Sequence, residues 1–217
     1  MATSPLINRL TPAVAPRLPS SPQPPDRLYL DQLTNVLRLY FNQIDGLLNS
    51  LAGGQGGRFL NIPYGAFSSF VDQTAVANTA TKLLMATTDF SNGVTAPSSQ
   101  ITVANAGIYN LQFSVQVQNL QNSPQDMFIW LKQNGADIVG STGLIGLPAR
   151  KDPADPAHDI KGWNYFLSMN ANDYIEIYWS IEDVLVTIQT YAASSSPTKP
   201  STASVVATMS FVSALPA

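Results

Sequence analysis

The sequence predicts a mainly β protein: a sandwich or jelly roll, preceded by one amphipathic helix and a proline-rich extended arm. Three observations carry this. From Gly107 the stretch GIYNLQFSVQV alternates apolar and polar residues and holds no charge, the period-two pattern of a half-buried strand. Between Leu30 and Leu51 apolar residues recur in steps of three and four, the period of a helix. Before that, Pro5, Pro12, Pro16, Pro19, Pro22, Pro24 and Pro25 crowd the start of the chain.

Residues 1–25 read as the arm. Proline fixes φ and removes a backbone donor, so neither a helix nor a central strand is expected here. The arm's only charged side chains are Arg9 and Arg17, both positive. They are the expected anchoring residues of a segment that becomes ordered by lying on another protein. A disordered leader is the alternative.

Residues 26–52 read as the helix. Leu30, Leu37, Ile44 and Leu51 occupy the a positions of a heptad, and Leu33, Tyr40 and Leu47 the d positions. Asp26 is placed to cap the first turn. Val36, Phe41 and Leu48 widen the apolar stripe, which suits three helices, or a helix lying on a neighbour, better than two. A short parallel trimeric coiled coil is the expectation. Packing on its own domain and docking onto another protein are the alternatives. Gly46 weakens the helix by about 1 kcal/mol relative to Ala. Residues 53–60, which begin GGQGG, read as a flexible joint.

Residues 61–217 read as the head, and its segments favour strands. YGAFSSFVDQT is apolar and aromatic, then turns at Asp72. TATKLLM is a short second strand, and DFSNGVT carries a turn at Asn92-Gly93. Tyr109, Leu111, Phe113, Val115 and Val117 share one face of the next strand. MFIWLKQNGADIV is a strand closed by Asn134-Gly135, a strong hairpin signal. DYIEIYWSI places Ile175, Ile177, Trp179 and Ile181 together, and VLVTIQTY and SVVATMSFV follow. The glycines of GADIVGSTGLIG and the RKDPADPAHDIKG segment read as loops. No βαβ spacing occurs, which argues against a nucleotide-binding α/β fold.

Composition narrows the function classes. Charged residues make up only 12% of the chain and the net charge is -3, so no basic stripe for nucleic acid is expected. There is no Cys, which removes disulfides, thiol nucleophiles and cysteine-bound zinc. MATSPLINRL is too polar and proline-interrupted for a signal peptide, and no apolar run is long enough for membrane insertion. The single histidine, His158, stands near Asp152, Asp155 and Asp159, but the spacing matches no calcium loop, so no metal or other cofactor is expected. Glu176 and Glu182 are the one carboxylate pair to weigh for sugar hydrolysis, which needs groups about 5 to 9.5 Å apart across a cleft. Glu176 falls on the polar face of its strand and Glu182 just beyond it, so no catalytic residue is assigned and the chain is not expected to be an enzyme. Tyr174 and Tyr178 share the face opposite Ile175 and Ile177. An outward aromatic face is a subunit interface or a glycan platform, and an interface between heads of a trimer is the expectation.

ITVANAGIYNLQFSVQV, followed later by FLSMNANDYIEIYW, resembles the tumour necrosis factor and complement globular-head superfamily. Gly107, Tyr109 and Phe113 stand where that family has a glycine, an aromatic residue and an alternating strand. Asn172, Asp173 and Tyr174 match its polar turn before a strand, and YGAFSSF its first strand. The chain is also similar in style to tail-phage virion proteins that place such a head after a short helix. The resemblance implies a TNF-like jelly-roll sandwich forming a tight homotrimer that binds rather than catalyses. The animal members are often disulfide-bonded or carried on a collagen stalk; this chain has no Cys and no Gly-x-y repeat. The expectation is therefore a virion structural protein, assembled in the host cytoplasm. Its expected partners are its own copies and the major capsid protein or another virion protein. A capsid decoration (cement) protein held by the arm is the first reading; a short tail fibre or host-receptor-binding knob is the second.

Overall fold

The computed structural model describes residues 13–20, 26–52 and 62–215. Two compact units divide the chain, Met1–Asn61 and Ile62–Ala217. Arg9, the joint at 53–60 and the Leu51 side chain lie outside the described residues.

In the first unit, residues 13–20 form neither helix nor strand. Ala13, Pro16 and Pro19 are half-buried while Val14, Arg17 and Leu18 are exposed. That spacing of three is the repeat of a polyproline II segment. Helix α1 spans Arg27–Ala52. Asp26 caps it as the sequence predicts: its Oδ1 accepts the Tyr29 N–H at 2.8 Å. Leu33, Leu37, Tyr40, Ile44 and Leu47 are half-buried, whereas Leu30, Phe41 and Leu48 are exposed by more than half. The helix therefore carries more apolar surface than it covers.

The second unit is a mainly β domain of fifteen strands in its described residues. One sheet is built from β1 (Tyr64–Ser69), β3 (Thr87–Asn92), β6 (Gly107–Asn119), β10 (Ala157–Met169), β12 (Val186–Ile188) and β15 (Val205–Ser213). Its order is β10-β6-β15-β1-β3, with β12 continuing beside β6. The other contains β2 (Thr81–Lys82), β4 (Val94–Thr95), β5 (Ile101–Val103), β7 (Gln125–Gln133), β8 (Ala136–Asp137), β9 (Gly143–Leu147) and β11 (Tyr174–Ile181). Its order is β4-β5-β11-β7-β8, with β2 beside β11 and β9 beside β7. A small ribbon, β13 (Ser194–Ser195) with β14 (Thr198–Lys199), completes the set. All strand pairs are antiparallel.

One core joins the two sheets. Tyr109, Leu111, Val115 and Val205 from the first meet Ile129, Leu131, Ile175 and Trp179 from the second, all at most 1% exposed. Each such side chain contributes about 1.5–3 kcal/mol relative to exposure. The predicted inward faces of β6 and β11 are the observed ones. The Asn134-Gly135 hairpin joins β7 to β8 with φ of +51° and +82°, the positive pair that a two-residue turn of matching twist requires. Asn92-Gly93 turns as expected, with Gly93 at φ +65°. It is no hairpin, however: β3 pairs with β1 and β4 with β5, so this turn carries the chain from one sheet to the other.

Two segments read as loops are strands in part, while Gly140 and residues 150–156 do lie in loops. β9 runs through Gly143 and Gly146, and β10 takes in His158 and Asp159. Gly143 is needed there because Trp163 of β10 crosses over it: a Cβ would lie 2.5 Å from the indole. Trp163 also stacks on Phe113, with ring centroids 5.4 Å apart and planes at 11°. The indole thus seals the edge between the two sheets.

The head has two ends. Ile62, Asn134-Gly135 and Asn170–Asp173 lie at one, joined by bonds such as Gln133 Nε2 to Asp173 Oδ2 at 3.2 Å. At the other end, the loop after β1 meets β12 and β11 (Gln73 N–H to Ile188 O, 2.8 Å; Asn78 N–H to Ile181 O, 2.7 Å). Leu120 N–H donates to Leu185 O, and Arg150 N–H to Gln121 O, at that same end.

Candidate interface surfaces

The outer face of the six-stranded sheet carries no charged side chain across β6, β10 and β15; Asp89, bonded to Ser68 at 3.0 Å, lies on β3 at the edge of the sheet. On β6 the outward positions are Ile108, Asn110, Gln112, Ser114, Gln116 and Gln118. Ile160, Gly162, Asn164, Phe166 and Ser168 stand beside them on β10, and Val206, Thr208 and Ser210 on β15. None is Asp, Glu, Lys or Arg. Phe166 and Ile160 are 66% and 61% exposed. Register places Gly162, Ser114 and Val206 in one row and Asn164, Gln112 and Thr208 in the next. Because Gly162 has no side chain, these rows line a trough of about 510 Å³. Asn110 and Asn164 are hydrogen-bonded across it through their side-chain amides. A face with amides, hydroxyls and scattered apolar groups but no charge can be desolvated at modest cost.

Tyr174 and Tyr178 lie on the outside of the other sheet and are half-buried. Tyr178 is already engaged: its ring lies 5.9 Å from Trp130, and Lys132 Nζ sits 4.7 Å from its centroid. Trp130 Nε1 donates to Asp137 Oδ1 at 2.7 Å, and Lys132 reaches Asp137 at 3.2 Å. The indole N–H and then the ammonium hold the Asp137 carboxyl below its usual range. Tyr174 lies against the β7–β8 turn, its backbone N–H donating to Asn134 Oδ1 at 3.0 Å. Asp173 beside it is held low chiefly by the Asn170 backbone N–H, then by the Asn134 amide.

Glu176 departs from its expected setting. It points to that outer face yet is only 5% exposed, because Lys82 of β2 and Gln100 close over it. Lys82 Nζ lies 2.5 Å from its Oε1, and Gln100 Nε2 donates to the same oxygen at 3.1 Å. Burial pushes this carboxyl upward; the Lys82 and Gln100 hydrogen bonds outweigh it and hold it below its usual value. Glu182 is not drawn to this site; it accepts the Asp126 N–H at 3.1 Å. These charges are saturated by one another, as in a structural network.

His158 stands at the border of the uncharged face, its Nδ1 2.8 Å from Tyr191 Oη. Burial, and then Asp72, raise the Tyr191 phenol above its normal range. Among the described residues no group of three or more His, Cys, Asp or Glu is arranged to hold a metal, and no helix is long and apolar enough to cross a membrane.

At the end remote from Ile62 the loops expose Phe70, Val71, Val76 and Val184, each by more than half. The loops at this end also carry Asp72, Asp152, Asp155, Glu182 and Asp183, with Asp126 at the start of β7, against Arg150 and Lys151, the latter paired with Asp155 at 3.4 Å.

Sequence reasoning missed β10 and with it the Trp163 seal and the exposed Phe166 and Ile160. Trp163, Tyr165, Leu167 and Met169 do alternate inward, which was legible. The first half hid the strand: Asp159 and Lys161 fall on the core side, where they pair at 2.7 Å, while Ile160 points outward.

Compared with known protein families the chain matches none, and no curated protein matches it.

Proposed function

We propose that this chain is a non-enzymatic homotrimeric structural protein of a virion, a capsid decoration protein whose jelly-roll head sits on a short coiled coil and whose N-terminal arm attaches it to the shell. The observation that carries the reading is the charge-free outer face formed by β6, β10 and β15, with its trough over Gly162. A face of this kind suits burial against another copy. The strand orders β10-β6-β15-β1-β3 and β4-β5-β11-β7-β8 support a jelly-roll reading of the head. The half-covered apolar stripe of α1 supports a helical seam between copies. These features move the proposed head interface away from Tyr174 and Tyr178, since Tyr178 is already spent on Trp130 and Lys132.

Three arms on one trimer multiply weak individual contacts through effective concentration. Deleting residues 1–25 therefore leaves the oligomer intact and releases it from particles. Attachment unchanged by that deletion removes the arm from the mechanism.

A second reading, a short tail fibre or receptor-binding knob, draws support from the exposed apolar loops at the far end of the head. Electron microscopy of particles labelled with antibody against the head separates the two. Labelling at many symmetric shell positions supports decoration, and labelling at one vertex supports the tail.

A further inference from the structure

The far end of the head combines exposed apolar side chains with excess negative charge. Phe70 is 52% exposed, Val71 60%, Val76 68% and Val184 55%. Glu182 lies exposed in the loop that carries Val184, and Asp155, exposed and paired with Lys151 at 3.4 Å, lies in the β9–β10 loop at the same end. The complementary chemistry occurs in this chain. Residues 13–20, AVAPRLPS, are free of helix and strand and present Arg17 between Val14, 77% exposed, and Leu18, 51% exposed. No acidic residue occurs before Asp26. An extended, proline-restricted segment loses little conformational entropy when it docks.

We infer that the acidic, apolar end of the head is the docking surface for the arm of a second copy, with Val14 and Leu18 laid on the exposed valines and Arg17 facing Asp155 and Glu182. This deepens the reading of the arm as an attachment device and names one partner for it, another molecule of the same protein. The contact joins two different surfaces, so each oligomer carries both halves of it and can join further oligomers. Opposite charge guides the encounter and makes it sensitive to salt.

The test is sedimentation velocity of the full chain over a concentration series at low and high salt. The expected result is a smallest oligomer that adds to larger species as concentration rises, with the larger species lost at high salt. Arg17→Glu weakens that step at least about tenfold, because it sets like charges against each other. Asp155→Lys with Glu182→Lys does the same, and all three changes together restore it. Val184→Asp is an independent second variant, and it too disperses the larger species. Absence of larger species at any concentration, indifference to Arg17→Glu, or no restoration in the triple variant overturns the inference. Should the arm deletion still free the protein from particles in that case, the anchoring reading stands while this inference falls.

Discussion

Lys82→Ala is a direct test of how the outer face of the seven-stranded sheet is held together. The Glu176 side chain is 6% exposed and that of Lys82 27%. Removing the ammonium leaves a buried carboxylate with the Gln100 amide at 3.1 Å as its nearest remaining donor. Breaking a fully buried pair costs about 3–5 kcal/mol. Lys82 keeps a quarter of its surface in water, which fills part of the gap, so the expected loss is about 2 kcal/mol. For a domain of this size that lowers Tm by about 6 °C. The pH dependence has a definite sign. The folded state holds the Glu176 carboxyl below its usual value, so its contribution is complete above the ordinary carboxylate range and is lost as pH falls through the folded value. The gap between wild type and Lys82→Ala therefore narrows on acidification, as the stranded carboxylate becomes neutral. Lys82→Met with Glu176→Gln removes both charges and recovers most of the stability at neutral pH. Thermal unfolding followed by circular dichroism across pH measures all of this. A Lys82→Ala loss below about 0.5 kcal/mol, or one that does not change with pH, shows that the Lys82–Glu176 pair does not hold this face together.

Two other outcomes follow from the packing. Gly143→Ala drives a methyl group to 2.5 Å from the Trp163 indole, and the cost is about 1–3 kcal/mol. It is read from denaturant unfolding, with a shift in tryptophan emission as the ring moves off Phe113. On the proposed trimer, Leu37→Asp with Ile44→Asp buries charges in the helical seam and gives smaller species in sedimentation. A trimer that survives this change is held by its heads alone.

Much of the fold was legible because alternation and burial agree. β6 and β11 carry apolar residues on one face, and the core uses that face throughout. The Asn134-Gly135 turn was legible because few residues other than glycine accept its backbone angles. β9 was hidden because Gly143 has no apolar side chain to display; its role is to make room for Trp163, the seventh residue of β10. The surfaces were harder to read. Glu176 has the pattern of an exposed strand residue, and only the fold brings Lys82 and Gln100 onto it. The uncharged face was visible in β6 alone; that β10 and β15 flank it, equally free of charge, depends on the order of the sheet. Tyr174 and Tyr178 were rightly set on an outward face, but the cross-strand neighbours that occupy Tyr178 come from the register of β7.

The proposed burial of the uncharged outer face of β6, β10 and β15 between copies is read out most directly by carbene footprinting of the full chain. In the isolated chain Phe166 and Ile160 are 66% and 61% exposed, close to Leu144 at 63% on the other sheet, with Val139 at 99% as an upper reference. If copies meet there, Phe166, Ile160 and Val206 are strongly protected in the native protein while Leu144 and Val139 label freely. Labelling of Phe166 and Ile160 at the level of Leu144 contradicts it.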